Sequence, residues 1–143
     1  MDDTLSLRWT EEPYYFLQTD LAQLEIETAW SYTTGGVNAL GDSINIAVID
    51  ASYFVTHEDL VNNVWKNPSE IPDDSIDNDL NGYIDDVFGW NAENNNDDID
   101  GSNSVFGYCH GMPVAAKIGA KGNNAKGVVG VNWNVKLMIV RGG

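Results

Sequence analysis

Residues 46–50 read Ile-Ala-Val-Ile-Asp, and residues 110–116 read His-Gly-Met-Pro-Val-Ala-Ala. The first stretch lies in the apolar, β-branched run from Ile44 to Ile49, which is typical of a strand covered on both faces in a parallel sheet. Small apolar residues from Val114 to Ala120 predict a buried helix, and Lys136 to Val140 repeats the strand pattern. These three segments decide the fold.

The order strand, helix, strand predicts a βαβ unit, in which the helix crosses from one parallel strand to the next. The fold class is therefore α/β, a partial doubly wound parallel sheet with flanking helices. Ligands of such sheets bind at the carboxyl ends of the strands, and Asp50 stands at one of these ends. Taken alone, an aspartate there is more often a turn or cap residue, and a lone His110 carries no more weight.

Composition narrows the function classes. The chain has 143 residues, which suits one domain, and 43% are hydrophobic, which is enough for a core. Seven basic against 22 acidic residues give a formal net charge of -15. This charge argues against nucleic acid and anionic membranes as partners and favours bound cations or a salty extracellular setting. We find no apolar run long enough to span a membrane and no signal peptide, and the single Cys109 excludes an internal disulfide.

We divide the chain into an amino-terminal arm, residues 1–19, and a domain, residues 20–143. The arm carries an aromatic cluster without a sustained period. Within the domain, residues 70–100 form a loop-rich insertion dominated by Asp and Asn, interrupted by a strand candidate at residues 87–90.

A helix is predicted directly after the arm, from Leu21 to Trp30. Asp20 and Gln23 have the spacing of a capping box at its start, and Gly35-Gly36 follows its end.

Three motifs occur in register along the domain. Residues 48–60 read Val-Ile-Asp-Ala-Ser-Tyr-Phe-Val-Thr-His-Glu-Asp-Leu and resemble the V-I-D-T-G and H-x-D-L boxes of the subtilisin-like serine proteases, the subtilases. Residues 109–116 resemble the family's H-G-T-H-V-A-G box, and residues 122–131 its glycine-rich loop. The resemblance implies the amino-terminal part of a subtilase catalytic domain, with a truncated subtilisin-like fold.

The resemblance also implies catalytic roles. Asp50 would hold the imidazole of His110 in the useful tautomer, and His110 would take the proton from a serine hydroxyl. That serine would lie in a G-T-S-x-A segment, which this sequence lacks, as it lacks the family's oxyanion-hole asparagine. We therefore expect no peptide hydrolysis by this chain alone, and a polypeptide substrate only if a carboxyl-terminal part completes it. Kinship with a mostly secreted family implies an extracellular location.

The sequence departs from the family pattern close to both residues. Ala51-Ser52 replaces Thr-Gly, although serine adopts positive φ less readily than glycine. Met112-Pro113 replaces Thr-His, and proline disfavours helical geometry at the residue before it. Lys117 lies in a helix that the family buries, where it would need a partner. These changes bear on the loop after Asp50 and on the pose of His110.

Four other side chains are alternative candidates for the catalytic base or the nucleophile. His57 follows Asp50 by seven residues, but on the family pattern it belongs to a structural box. Cys109 precedes His110, and because adjacent side chains diverge we interpret it as an inert buried thiol. Ser102 and Ser104 sit in an Asp- and Asn-rich loop with no strained turn to present a nucleophile.

The insertion contains a spacing of oxygen ligands that is typical of calcium loops. Its predicted ligands are the side chains of four residues and one backbone carbonyl: Asp77, Asp79, Asn81, Asp85 and the carbonyl of Tyr83. Phe88 stands where an EF-hand has its glutamate, so another segment would have to supply a bidentate carboxylate. A solvated Asx-rich turn is the alternative. The resemblance implies a second calcium site, to which Asp59 and the loop around Asn123 and Asn124 contribute.

Three hypotheses follow. The first is the amino-terminal fragment of a calcium-stabilised subtilisin-like serine endopeptidase, inactive alone. The second is a non-catalytic calcium-binding or interaction module derived from a protease. The third is a fragment that has no function of its own. Its unpaired strand edge and uncovered apolar surface would favour aggregation.

Overall fold

A computed structural model describes residues 11–100 and 109–142 of the chain. Most of the predicted arm, and both Ser102 and Ser104, lie outside the described residues. The elements are the 3₁₀ helix Tyr15–Leu17, α1 Thr19–Gln23, α2 Ile26–Trp30, β1 Asn45–Asp50, β2 Gly89–Asn91, α3 Gly111–Gly119 and β3 Lys136–Arg141. None of the helices within the described ranges is long and apolar enough to cross a bilayer.

The three strands form one parallel sheet in the order β1-β3-β2. β3, the last strand in the chain, lies in the middle: Asp50 of β1 is in register with Arg141, and Gly89 of β2 with Ile139. α3 lies between β1 and β3 in sequence and packs against both, so the predicted βαβ unit and α/β class are confirmed. The strand predicted at residues 87–90 begins two residues later and ends one residue later, as the three-residue β2.

Small residues let α3 approach the sheet closely. Ala115 is fully buried against the sheet, and a Cβ added to Gly119 would lie 2.9–3.2 Å from the side chains of Val135 and Leu137. The main core fills this interface: Val48, Tyr53, Leu60, Val64, Ile99, Ala115, Ala116, Ala120, Val135, Leu137 and Ile139. Their burial is the main source of stability for this layer.

The opposite face of the sheet is open among the described residues. Ile49 is 70% exposed, and Met138 and Val140 are only partly buried. The prediction that the strand from Ile44 to Ile49 is covered on both faces is therefore wrong for this part of the molecule. Its continuous apolar sequence matches a doubly covered strand, but only one layer of helix is present here.

The predicted helix from Leu21 to Trp30 is broken into α1 and α2. Glu25 adopts a left-handed conformation, with φ of 52°, between them. In one continuous helix Leu21 and Ile26 would point about 140° apart, because each residue turns the helix by about 100°. The break lets Leu21, Ile26 and Trp30 all pack with Val129 and Trp133.

The predicted capping box is also absent. α1 begins after Gln18, which makes no side-chain cap bond. Gln18 instead exchanges two hydrogen bonds with the backbone of Val129, at 2.8 and 2.9 Å. Asp20 pairs with Lys117 on the exposed side of α3, which gives that lysine the partner it needs.

We predict that Gly111→Ala destabilises the fold. A Cβ at this position would lie 2.6 Å from the buried ring of Tyr53, which cannot move aside without disturbing the core. We expect a loss of about 1–3 kcal/mol in the free energy of unfolding, measured by urea denaturation. Gly142→Ala is the matched control, because its added Cβ would lie 3.8 Å from the side chain of Ile49, an ordinary contact distance. Equal stability of the two variants would contradict this packing.

Candidate active site

Asp50 ends β1 and faces the carboxyl edge of the sheet. Its Oδ1 accepts a hydrogen bond of 2.6 Å from the backbone N–H of Ala51. The side chain is 17% exposed, so the carboxylate is mostly shielded but still reaches solvent. Ser52 behind it is buried and is not among the residues with positive φ, so the loop needs no glycine there.

His110 precedes α3 and meets Asp50 across sixty positions of sequence. Its Nδ1 lies 2.7 Å from Oδ1 of Asp50, and its side chain is 52% exposed. An ionised carboxylate only accepts hydrogen bonds, so Nδ1 carries the proton of this pair. In a neutral ring the lone pair then lies on Nε2, the nitrogen that can act as a base.

The helix after His110 accommodates Met112 and Pro113, the two residues that replace Thr-His of the family pattern. α3 begins at Gly111 and runs through Met112 and Pro113 without interruption. Proline is tolerated in the first turn because its missing N–H would have no intrahelical acceptor there. His110 itself has helical dihedral angles, φ of -61° and ψ of -40°. The sequence changes therefore leave the pairing with Asp50 intact.

The pair is electrostatically coupled. The hydrogen bond from His110 lowers the pKa of Asp50 below the usual aspartate range, and the amide of Ala51 lowers it further. Both donors stabilise the ionised carboxylate, which is the form that can orient an imidazole.

Tyr53 contacts both the strand that carries Asp50 and the helix that follows His110. Nothing in the sequence indicated that it belongs to the site. Its hydroxyl donates a 2.8 Å hydrogen bond to the carbonyl of Val48, and its ring lies directly under Gly111. Burial raises the pKa of Tyr53, and the charge of Asp50 adds to the effect. The aromatic residue three places after the aspartate was visible in the sequence, but no pattern linked it to the start of α3.

The rivals of His110 are placed elsewhere. Nδ1 of His57 accepts a 3.2 Å hydrogen bond from the amide of Asp59, and its ring packs edge-on against Phe54. His57 therefore organises its own turn. Cys109 is a free, half-buried thiol next to His110.

The acidic insertion brings together part of the predicted ligand set. Asp77 and Asp79 each place a carboxylate oxygen within 4.8 Å of the others in a cluster completed by Glu70. Glu70 is buried and was not among the predicted ligands; it adds a third carboxylate to the two that the loop provides. A single glutamate seven residues before the loop gives no spacing signal.

The other predicted ligands of this loop have different partners. Asp85 accepts hydrogen bonds from the amides of Asp74 and Ser75, at 3.2 and 3.0 Å. Oδ1 of Asn81 accepts the N–H of Tyr83, and its amide group donates to Asp79. The ring of Tyr83 packs edge-on against Trp90.

Asp59 lies next to the glycine-rich loop and contacts it. It is 1% exposed, and its oxygens accept hydrogen bonds from the side chain of Asn124 and the amide of Val128. Glu12, also buried, accepts the amides of Asn124 and Lys126. Two buried carboxylates thus converge on the loop predicted to help form a second cation site.

Comparison with known proteins gives one consistent result. A family model described as the subtilase family matches residues 41–143. The chain is 38% identical over 123 residues to subtilisin-like protease 1 of Plasmodium berghei (strain Anka), covering 85% of this chain and 19% of that protein. The Plasmodium vivax protein of the same name is 38% identical over 124 residues, covering 85% and 18%. The chain thus spans less than a fifth of the length of these curated relatives.

We predict a depressed titration midpoint for the Asp50 carboxyl group in the folded protein. Carbon-13 NMR of this carboxyl, titrated downward from neutral pH, should give a midpoint below the roughly 3.9 of an unperturbed aspartate. His110→Ala should raise the midpoint, because it removes the main stabilising donor. His57→Ala is the matched control and should leave it unchanged.

The same shift sets a direction for stability. A group whose pKa is lower in the folded state stabilises the fold above its unfolded pKa, and this contribution disappears as pH falls through the folded pKa. The stability advantage of the unmodified chain over Asp50→Asn should therefore shrink below about pH 3.9. If the titration midpoint of Asp50 were the same in His110→Ala as in the unmodified chain, the coupling between the two residues would be contradicted.

Proposed function

Because this chain belongs to the subtilase family, we propose that it supplies the aspartate and histidine of a serine endopeptidase active site. The observation that carries the proposal is the 2.7 Å contact between Nδ1 of His110 and Oδ1 of Asp50 at the carboxyl end of the sheet. This is the base-and-orienter half of a triad, recognised by geometry and roles.

The proposed mechanism gives each residue one task. Asp50, held ionised by its two donors, keeps the proton of His110 on Nδ1 and stabilises the imidazolium that forms. Nε2 of His110 removes the proton from a serine hydroxyl as that oxygen attacks the peptide carbonyl, and then donates it to the leaving amine. No G-T-S-x-A segment occurs in these 143 residues, so the serine and the oxyanion donors would have to be supplied by other polypeptide.

A chimera tests this proposal. The aligned residues of this chain would replace the matching region of the Plasmodium vivax relative, which supplies the rest of a catalytic domain. We expect peptidase activity that phenylmethylsulfonyl fluoride abolishes. His110→Ala in the chimera should lower kcat by about 10²- to 10⁴-fold, the usual contribution of a general base. His57→Ala should retain activity, because that ring organises a turn.

The outcome separates two of the hypotheses. A chimera that folds, as judged by circular dichroism, but hydrolyses no peptide would overturn the endopeptidase proposal. It would then favour the second function, a non-catalytic calcium-binding module, for which the carboxylate cluster around Glu70 is the supporting observation.

Calcium binding is a proposal in its own right. Glu70, Asp77 and Asp79 offer three carboxylates, and hard oxygen donors suit Ca²⁺ better than softer metals. Backbone amides already hold these side chains: those of Asn81 and Gly82 bind Asp77, and that of Asp79 binds Glu70. A bound cation would relieve the repulsion between carboxylates that lie this close. We also propose an extracellular location, where calcium-binding modules typically bind the ion weakly.

Calorimetry tests the calcium proposal. We expect the chain to bind Ca²⁺ and Glu70→Gln to weaken binding at least about tenfold, which corresponds to about 1.4 kcal/mol. Asp97→Asn is the matched control, because this exposed aspartate lies in the same acidic insertion but outside the cluster. Equal weakening by both variants would reduce the effect to general charge and contradict a defined site.

A further inference from the structure

Within the described part of the chain, the basic side chains without an acidic partner all line a groove at the amino end of the sheet. Two surface cavities, of about 500 and 200 Å³, share Ser43, Asn62 and Lys136 and therefore form one continuous depression. Lys66 lines the larger cavity and Lys121 the smaller one. No aspartate or glutamate among the described residues lines either cavity, although the chain has 22 acidic residues.

The remaining described basic residues are paired. Lys117 contacts Asp20, and Lys126 lies 3.1 Å from Glu58. Arg141 lies 3.8 Å from a carboxylate oxygen of Asp98. With roughly three acidic residues for each basic one, pairing of every basic side chain is what composition alone favours. The exceptions are therefore informative.

The three groove lysines make only neutral contacts within the described part of the chain. Nζ of Lys136 donates to the carbonyl of Asn62 at 2.8 Å, and Nζ of Lys121 donates to the side-chain oxygen of Asn134. Nζ of Lys66 lies 5.3 Å from the centre of the Phe88 ring. Each ammonium group has three donors, so these contacts leave capacity for an anion.

We propose that this groove binds an acidic segment of another polypeptide. Carboxylates would pair with the three lysines, while the half-exposed Val37 and Val61 in the walls offer apolar contact. The asparagines of the groove, Asn45, Asn62 and Asn134, can bond peptide groups. A net charge of -15 repels extended polyanions such as duplex nucleic acid or an anionic bilayer, whereas a short segment experiences mainly the local field.

The groove lies at the opposite end of the sheet from the candidate active site. Asn45 and Lys136 open the two strands that Asp50 and Arg141 end. Six residues of strand separate the two ends by about 16 Å. Binding there would thus hold a partner without occupying the region around His110.

Fluorescence anisotropy tests the proposal. The probe is a short fluorescein-labelled peptide in which Asp and Glu alternate with Leu and Val, compared with its Asn and Gln counterpart. We expect the chain to bind the acidic probe and not the neutral one, with affinity falling as salt rises. Lys66→Gln combined with Lys136→Gln should weaken binding at least about tenfold. Lys117→Gln combined with Lys126→Gln is the charge-matched control and should weaken it less than about threefold.

A single variant and NMR spectra provide two further tests of binding in the groove. Lys66→Glu changes only an exposed side chain and should weaken binding even if the double variant proves unstable. In NMR spectra the probe should shift the amides of Asn62 and Lys136 and leave His110 unmoved. Equal loss in both double variants, shifts centred on His110, or tighter binding of phosphatidylserine vesicles or duplex DNA than of the peptide would overturn the proposal.

Discussion

The parallel pairing of β1 with β3 is the constraint on which the rest of the structure depends. Two parallel neighbours need a crossover, and α3 makes it with small residues that permit close contact with the sheet. The same crossover brings the start of α3 to the end of β1, which is where His110 meets Asp50. A close helix-to-sheet contact and a functional pair thus have one geometric cause. Tyr53, wedged beneath Gly111 and bonded to Val48, joins the two elements at the point where their side chains meet.

Some of the many acidic residues of the chain are buried rather than exposed to solvent. Glu12, Asp59 and Glu70 are buried, and each accepts hydrogen bonds from backbone amides of a loop that has no regular structure. A buried carboxylate is costly unless such donors surround it, and these loops supply them. The carboxylates therefore act as organising centres for long polar loops that could not build an apolar core. If calcium binds at Glu70 as proposed, its binding and the order of that loop would be coupled.

The strands, the crossover and the Asp50–His110 pair were predictable because each has a local sequence signal: β-branched apolar runs, a run of small residues, and motifs in register. The break at Glu25 was not predictable, since it satisfies tertiary contacts of Leu21 and Ile26 that a local period does not contain. The proximity of Glu70 to Asp77 and Asp79 was not predictable for a similar reason, because a single glutamate forms no sequence pattern. Asp85 was assigned by analogy with calcium loops; the structure adds that its carboxylate accepts the amides of Asp74 and Ser75, a contact that the spacing of the loop does not predict. The open face at Ile49 was missed because an apolar strand sequence does not reveal how many layers cover it.

The two ends of the sheet differ in charge, and this difference bears on how the molecule meets other chains. At the carboxyl end the ionised Asp50 faces His110, whereas at the amino end Lys66, Lys121 and Lys136 line a groove to which the described residues contribute no carboxylate. A basic patch survives in so acidic a chain only where the fold keeps acidic residues away from it, and here the asparagines Asn45, Asn62 and Asn134 occupy the intervening positions. Asparagine is close to aspartate in size but is uncharged, and it both accepts and donates hydrogen bonds. Because the chain carries a net charge of -15, an acidic partner would be repelled by the molecule as a whole, and the local positive charge of the groove would favour binding there.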